Sequence, residues 1–173
     1  MSEIRNKVEE SGLIQLDLAQ FKPRIEMEGI DIAPQLWQGL VIKEKEFRTW
    51  IKTTDWQAYH GKAVFVFCSA DAIIPTWAYM LVATSLKGIA PYVTIGRKED
   101  LERELIQVSI SKMNLDELIN GKVIIKGCSD ISDPAFAMVC LLNKIQPVVQ
   151  SIMYGEPCST VPIYKKSKSR NEN

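Results

Sequence analysis

The chain has 173 residues, 46% of them hydrophobic and 24% charged, with 21 basic residues balancing 21 acidic ones. That is an ordinary globular composition with room for a real core, and neutrality removes any general electrostatic pull toward nucleic acid or a membrane surface. No apolar run approaches a bilayer span, and Glu3, Arg5, Lys7, Glu9 and Glu10 interrupt what an export signal needs, so the reading is cytoplasmic, with four reduced cysteines.

In chain order, residues 2–10 read as a short amphipathic helix closed by Gly12, and 13–18 alternate as a half-buried strand. Residues 30–32 and 40–42 suit short strands, with Pro34 starting a helical turn between them. Over 43–53, Phe47, Trp50 and Ile51 fall at helical spacing among charges, which predicts a surface helix. The four tryptophans are spread out and read as core packing, not as base-stacking platforms.

From Gly61 strands and helices alternate. Residues 63–67 are an apolar run without alternation, as in a strand covered on both faces. A helix over 75–86, a strand over 92–95, a helix over 98–113 and a strand over 123–126 follow. Asp133-Pro134 then predicts a helix start, with a capping side chain before a proline at the first helical position. Such alternation implies right-handed βαβ units. The fold expected is α/β: a single domain over 1–164 with a small, mostly parallel sheet, flanking helices and an N-terminal β-containing extension. Residues 165–173 form a basic, solvated tail. The segment after Pro147 fits a helix or a strand, with Gly155 and Pro157 as a stop. Under either reading it returns the chain toward the carboxyl edge of the sheet.

One stretch occurs twice. Gly61-Lys62, an apolar run, Cys68-Ser69, Asp71 and Pro75 are restated about sixty residues on as Gly121-Lys122, an apolar run, Cys128-Ser129, Asp130 and Pro134. A third pair, Cys158-Ser159, lies near the end. Ligands of open parallel sheets bind outside the carboxyl strand ends, where Cys68 and Cys128 fall. A thiol before a helix start is biased toward thiolate, the form that binds metal or attacks an electrophile. Three readings stay open. The Cys-Ser turns are corners, with cysteine as a small hydrophobe and serine as a cap. Or Cys68, Cys128 and Cys158 share zinc or an iron–sulfur cluster, with Asp71, Asp130, His60, water or a partner as fourth ligand. Or Cys68 or Cys128 is the nucleophile of a transferase or hydrolase. His60 precedes a strand on the edge opposite Cys68 and reads as a surface residue. Cys140, in an apolar helical run, reads as core. No CxxC pair, Walker loop, GxGxxG, HExxH or GxSxG motif is present.

The runs CSADAIIPTWAYML at 68–81, KVIIKGCS at 122–129 and QPVVQSIMYGEPCSTVPIYK at 146–165, with GLIQLDL at 12–18 and LVIKEKEFR at 40–48, resemble the uncharacterised bacterial family catalogued as domain of unknown function 2480. The resemblance covers nearly the whole chain up to the tail and carries no activity with it. It implies a cytosolic protein encoded near sulfur-mobilisation genes. The expected function is thus an accessory role in iron–sulfur or metal metabolism, with iron–sulfur assembly proteins as partners; a thiol enzyme and a non-catalytic interaction scaffold are the alternatives.

Overall fold

The computed structural model describes residues 12–127 and 130–167. The helix expected over 2–10 and tail residues 168–173 lie outside them. Within the span read as one domain, the chain makes two compact units: an outer one from Met1–Pro23 and Leu105–Asn173, and an inserted one, Arg24–Glu104. The class is α/β with mostly parallel strands and flanking helices, and the strands are shared between two main sheets. Strands are present near the N-terminus as expected, and the first two each form the edge of one main sheet.

In the inserted unit, β2 (Met27–Asp31), β5 (Ala63–Phe67) and β6 (Tyr92–Ile95) are parallel in that order. The first strand of the chain, β1 (Leu13–Asp17), belongs to the outer unit. There it joins β7 (Lys122–Lys126), β8 (Ser151–Glu156) and β9 (Ser159–Lys165) in the order β1-β7-β8-β9, parallel except for β9. The apolar centre of β7 is buried without alternation, as expected of a central strand, whereas in β5 Ala63, Val64 and Val66 are buried and Phe65 and Phe67 half-buried. A small antiparallel ribbon, β3 (Leu36–Trp37) with β4 (Val41–Ile42), precedes helix α1 (Glu44–Thr53). The other α-helices among the described residues are α2 (Thr76–Ser85), α3 (Lys98–Ser111) and α4 (Pro134–Ile145).

Local rules explain most ends. Asp133 accepts from the N–H of Phe136 at 2.9 Å and caps α4, with Pro134 as its first residue. Helix α1 is polar outside and fully buries only Phe47, which packs against Trp50 and Trp77, with Trp56 beside Trp50. Trp37 departs from the expectation of core packing. It is 43% exposed and lies under the Lys43 ammonium, 4.1 Å from the ring centroid. The ambiguous segment after Pro147 is a strand, and Gly155 sits inside it. A two-residue turn, Pro157-Cys158, leads into β9, an element absent from the sequence reading, which takes in Lys165 from the expected tail.

The two units repeat one design. Ala63 pairs with Tyr92 as Lys122 pairs with Ser151, an offset of 59 residues (63 to 122, 92 to 151). The same offset carries the bond from Gly61 N–H to Ile89 C=O onto that from Asn120 N–H to Val148 C=O. It also superposes the buried helix faces, Ala78 on Ala137, Val82 on Leu141 and Leu86 on Ile145, all with no exposed surface. The first strands correspond too. Leu16-Asp17-Leu18-Ala19 matches Ile30-Asp31-Ile32-Ala33, and each aspartate accepts from the N–H two residues on.

Candidate functional site

At the carboxyl edge of the inserted sheet, β2 ends on Asp31 and β5 leads into Cys68-Ser69. The Ser69 hydroxyl donates to Asp31 Oδ2 at 2.5 Å and its N–H to Oδ1 at 3.0 Å, while the Ala33 N–H donates to Oδ1 at 2.9 Å. Burial acts to raise the Asp31 pKa, but these bonds from Ser69 and Ala33 outweigh it and hold the carboxyl below its ordinary 3.8. The Cys68 thiol is half-buried and donates to the Ala70 carbonyl at 3.5 Å. Tyr79 stands within its electrostatic reach; burial first, and then the Cys68 charge, raise the phenol pKa. Asp71 is exposed, and so is His60, at the opposite, amino edge.

At the carboxyl edge of the outer sheet, Lys126 pairs with Glu156 at 2.8 Å across β7 and β8. The Glu156 hydrogen bond is the main cause that raises the Lys126 pKa, against desolvation, with Glu156, Asp17 and Cys158 adding their charges. Cys158 is exposed in the β8–β9 turn, so β8 does return it to the edge where β7 ends. Asp130 pairs with Lys22 at 3.6 Å. Cys128 and Ser129 lie outside the described residues. Cys68 follows a strand of one sheet, whereas Cys128 and Cys158 follow strands of the other; the single edge expected to carry all three is two edges. Among the described residues, no group of three or more His, Cys, Asp or Glu side chains is arranged to hold a metal ion.

The repeat also corrects the alignment on which the thiol reading stood. An offset of 59 brings Asp71 onto Asp130 and Pro75 onto Pro134, but sets Cys68 against Gly127. The Cys-Ser pairs are therefore not equivalent. A local reason is visible: a Cβ at Gly127 would lie 3.1 Å from the Tyr154 hydroxyl oxygen. In the inserted unit Ile95 stands in place of Tyr154 and leaves room for Cys68. Cys140, expected in the core, is half-buried. It lines a cavity of about 200 Å³ with Gln107, Ile110, Ser111, Asn143 and Lys144, whose ammonium donates to the Ser111 carbonyl.

A more apolar opening in this unit lies elsewhere. Ile125, Ile152, Tyr154 and Ile163 of the sheet and Met138, Val139 and Leu142 of α4 line a groove of about 170 Å³. Val139, Tyr154 and Ile163 are 54%, 45% and 50% exposed, and Val161 extends the face at 58%. Scattered exposed hydrophobics are normal, but a contiguous set rimmed by polar residues marks a binding surface.

Residues 2–166 match the family described as protein of unknown function (DUF2480). The chain belongs to that family. No curated protein and no solved structure matches it. Among the described residues of this DUF2480 protein, no helix is long and apolar enough to cross a membrane. Sequence reasoning missed the Asp31–Ser69 contact, whose partners are 38 residues apart, and the groove, which needs β9 as a wall. The signals available were the repeated Asp at a strand end and the β-branched run after Pro157.

Proposed function

We propose that this DUF2480 protein is a non-catalytic accessory protein that docks another protein in the groove beside α4. The exposed apolar set Val139, Tyr154, Val161 and Ile163 carries this reading. Covering such surface gains about 25 cal/mol per Å², and the groove walls offer a partner apolar contact and one phenol. The test places a photo-crosslinking amino acid at position 139 of the full chain in cells, with position 87, an exposed site in the inserted unit, as control. A discrete adduct with another protein from 139 and not from 87 supports docking; no adduct from 139 or 163 overturns it.

A second reading has one observation of its own: Cys158 lies at the edge where β7 ends and the chain enters Cys128. On this reading Cys128 and Cys158 hold an iron–sulfur cluster or zinc, with Asp130 as a further ligand and iron–sulfur assembly proteins as partners. Iron, zinc and acid-labile sulfide per chain are measured on anaerobically purified wild type, Cys128→Ser and Cys158→Ser. Loss of metal in both variants supports the site, and a metal-free wild type rejects it.

A further inference from the structure

We propose that the open edge of β6 pairs with β6 of a second copy of this chain, antiparallel about a two-fold axis at Thr94. The inference concerns the inserted unit and goes beyond the docking reading, which uses the outer one. Three observations carry it.

The first is a set of backbone groups left over at the edge. Among the described residues β6 pairs with β5 alone. The Gly96 N–H donates to the Val66 carbonyl at 2.9 Å, so Gly96 faces β5, and alternation turns Thr94 and Tyr92 the same way. Val93 and Ile95 therefore direct their N–H and C=O groups to the open side. The outer unit shows how this fold completes such an edge. Ile152 and Tyr154, the counterparts of Val93 and Ile95, turn the same groups to β9 and pair with Tyr164 and Val161 in an antiparallel ladder. Apolar side chains lie open beside the edge as well. Ile95 is 49% exposed, and Met80 of α2, the counterpart of Val139, is 64% exposed.

The second is the absence of protection. The two main sheets have β1, β9, β2 and β6 as their edges. β1 ends on Asp17, β2 carries Glu28 and Asp31, and β9 carries Pro162 and Lys165. Charges and prolines on an edge deter strand addition. β6, with the sequence Tyr-Val-Thr-Ile, has neither. A chain that guards its other edges leaves this one fit for pairing.

The third selects the second copy. Val93 and Ile95 flank Thr94, so a two-fold axis at Thr94 sets Val93 against the partner's Ile95, and Ile95 against the partner's Val93. Each of these pairs joins two outward-facing residues and exchanges both of its hydrogen bonds. The axis also makes the strands antiparallel, the direction that β9 takes against β8. Over residues 91–97 the only charge is Arg97, which falls opposite the partner's Pro91, so no like charges meet. The edge is self-complementary in backbone and in charge.

The test is sedimentation equilibrium of the full chain over about 1–100 μM, with amide hydrogen exchange read at both ends of that range. A dimer is expected. The N–H groups of Val93 and Ile95 should exchange more slowly as it fills, while that of Thr94, which faces β5, stays unchanged. Ile95→Lys puts a charge on the edge, and Ile95→Pro removes an outward donor that the single chain does not use. Each should weaken the dimer about tenfold or more, with the circular dichroism unchanged. Ile73→Lys, at a 93% exposed position outside β6, and Ile163→Lys, in the groove, should leave the dimer intact. A chain that stays monomeric overturns the proposal, as does a dimer that either Ile95 variant leaves intact or that Ile163→Lys dissociates. Slow exchange of Val93 and Ile95 in a monomer overturns it too, since the edge is then covered within the chain. So does a photo-crosslinker at position 95 that captures a different protein while the chain is monomeric, which gives the edge to a foreign strand. None of these results bears on the adduct expected from position 139, so the docking reading stands or falls separately.

Discussion

The inserted and outer units share a core and differ at their edges. In both, a central strand feeds a helix that lays Ala, a branched aliphatic and a second one onto the sheet at matching positions. The inserted unit then closes its carboxyl edge with the Asp31–Ser69 bonds and stops at β6. The outer unit closes the same edge with the Lys126–Glu156 ion pair and adds β9, which leaves an apolar slot beside α4. What is repeated is architecture, and what is not repeated is where binding surface arises. A thiol motif that looks repeated in the sequence falls on non-equivalent positions, so it belongs to neither description.

The comparison is strained hardest at the shared helix face. Leu141→Ala should cost about 2–5 kcal/mol and Val82→Ala somewhat less, since one methylene fewer is lost. Denaturant unfolding followed by a tryptophan signal, which all comes from the inserted unit, and by far-UV circular dichroism will tell how the units share this loss. If Leu141→Ala moves only the circular dichroism transition, the units unfold separately; coincident shifts mean one cooperative domain.

Next come the glycines that follow β6 and interrupt β8, at equivalent positions with φ of 138° and 118°. Alanine at either is strained by about 1–3 kcal/mol. At Gly155 the new Cβ would also meet the Ser159 backbone carbonyl at 2.5 Å, whereas at Gly96 it meets the Asp100 side chain, which can turn aside. Gly155→Ala should therefore lower the melting temperature more than Gly96→Ala, and the reverse order would deny that the β8–β9 hairpin is the stiffer corner.

A smaller effect distinguishes the edges. Ser69→Ala should cost about 1 kcal/mol and let the Asp31 pKa rise. Because the folded pKa of Asp31 lies below the unfolded one, its contribution is complete above about pH 4 and is lost as pH falls through the folded value. Side-chain carboxyl NMR should thus show Asp31 titrating below 3.8 in wild type and higher in Ser69→Ala. An unchanged titration would mean the serine is a bystander. The smallest change is expected from Lys126→Met. It removes an edge ion pair whose glutamate is 60% exposed, so the loss of stability should be the least of these, and added salt should shrink the difference.

Much of the chain order was legible from residues alone. The strand at 92–95, the capped start of α4 at Asp133-Pro134, and the surface helix around Phe47 and Trp50 follow from periodicity and terminal chemistry, which act over a few residues. The repeat was legible as well, but in the wrong register by one. Gly-Lys and Cys-Ser are conspicuous as identities, while the true offset is set by hydrogen-bond partners and by small residues under the helix. The bend before each central strand needs a positive φ, which Gly61 supplies in one unit and Asn120 in the other, so the matching glycines mislead.

Other features were decided by tertiary structure. β1 meets β7 across more than a hundred residues of chain, and β2 takes β5 instead, so the strands divide between two sheets. No local pattern records that choice, because any half-buried edge strand can pair with any apolar centre, and burial of the whole set selects among them. Cys158 reaches the edge of β7 because β8 runs parallel to it, while Cys68 follows β5, a strand of another sheet. The groove exists only once β9 folds back beside α4. The sequence by itself determined the elements and their caps, which local sterics and hydrogen bonding specify. Partners, edges and the candidate site came from long-range packing, in which each unit's core had to close around its own helix.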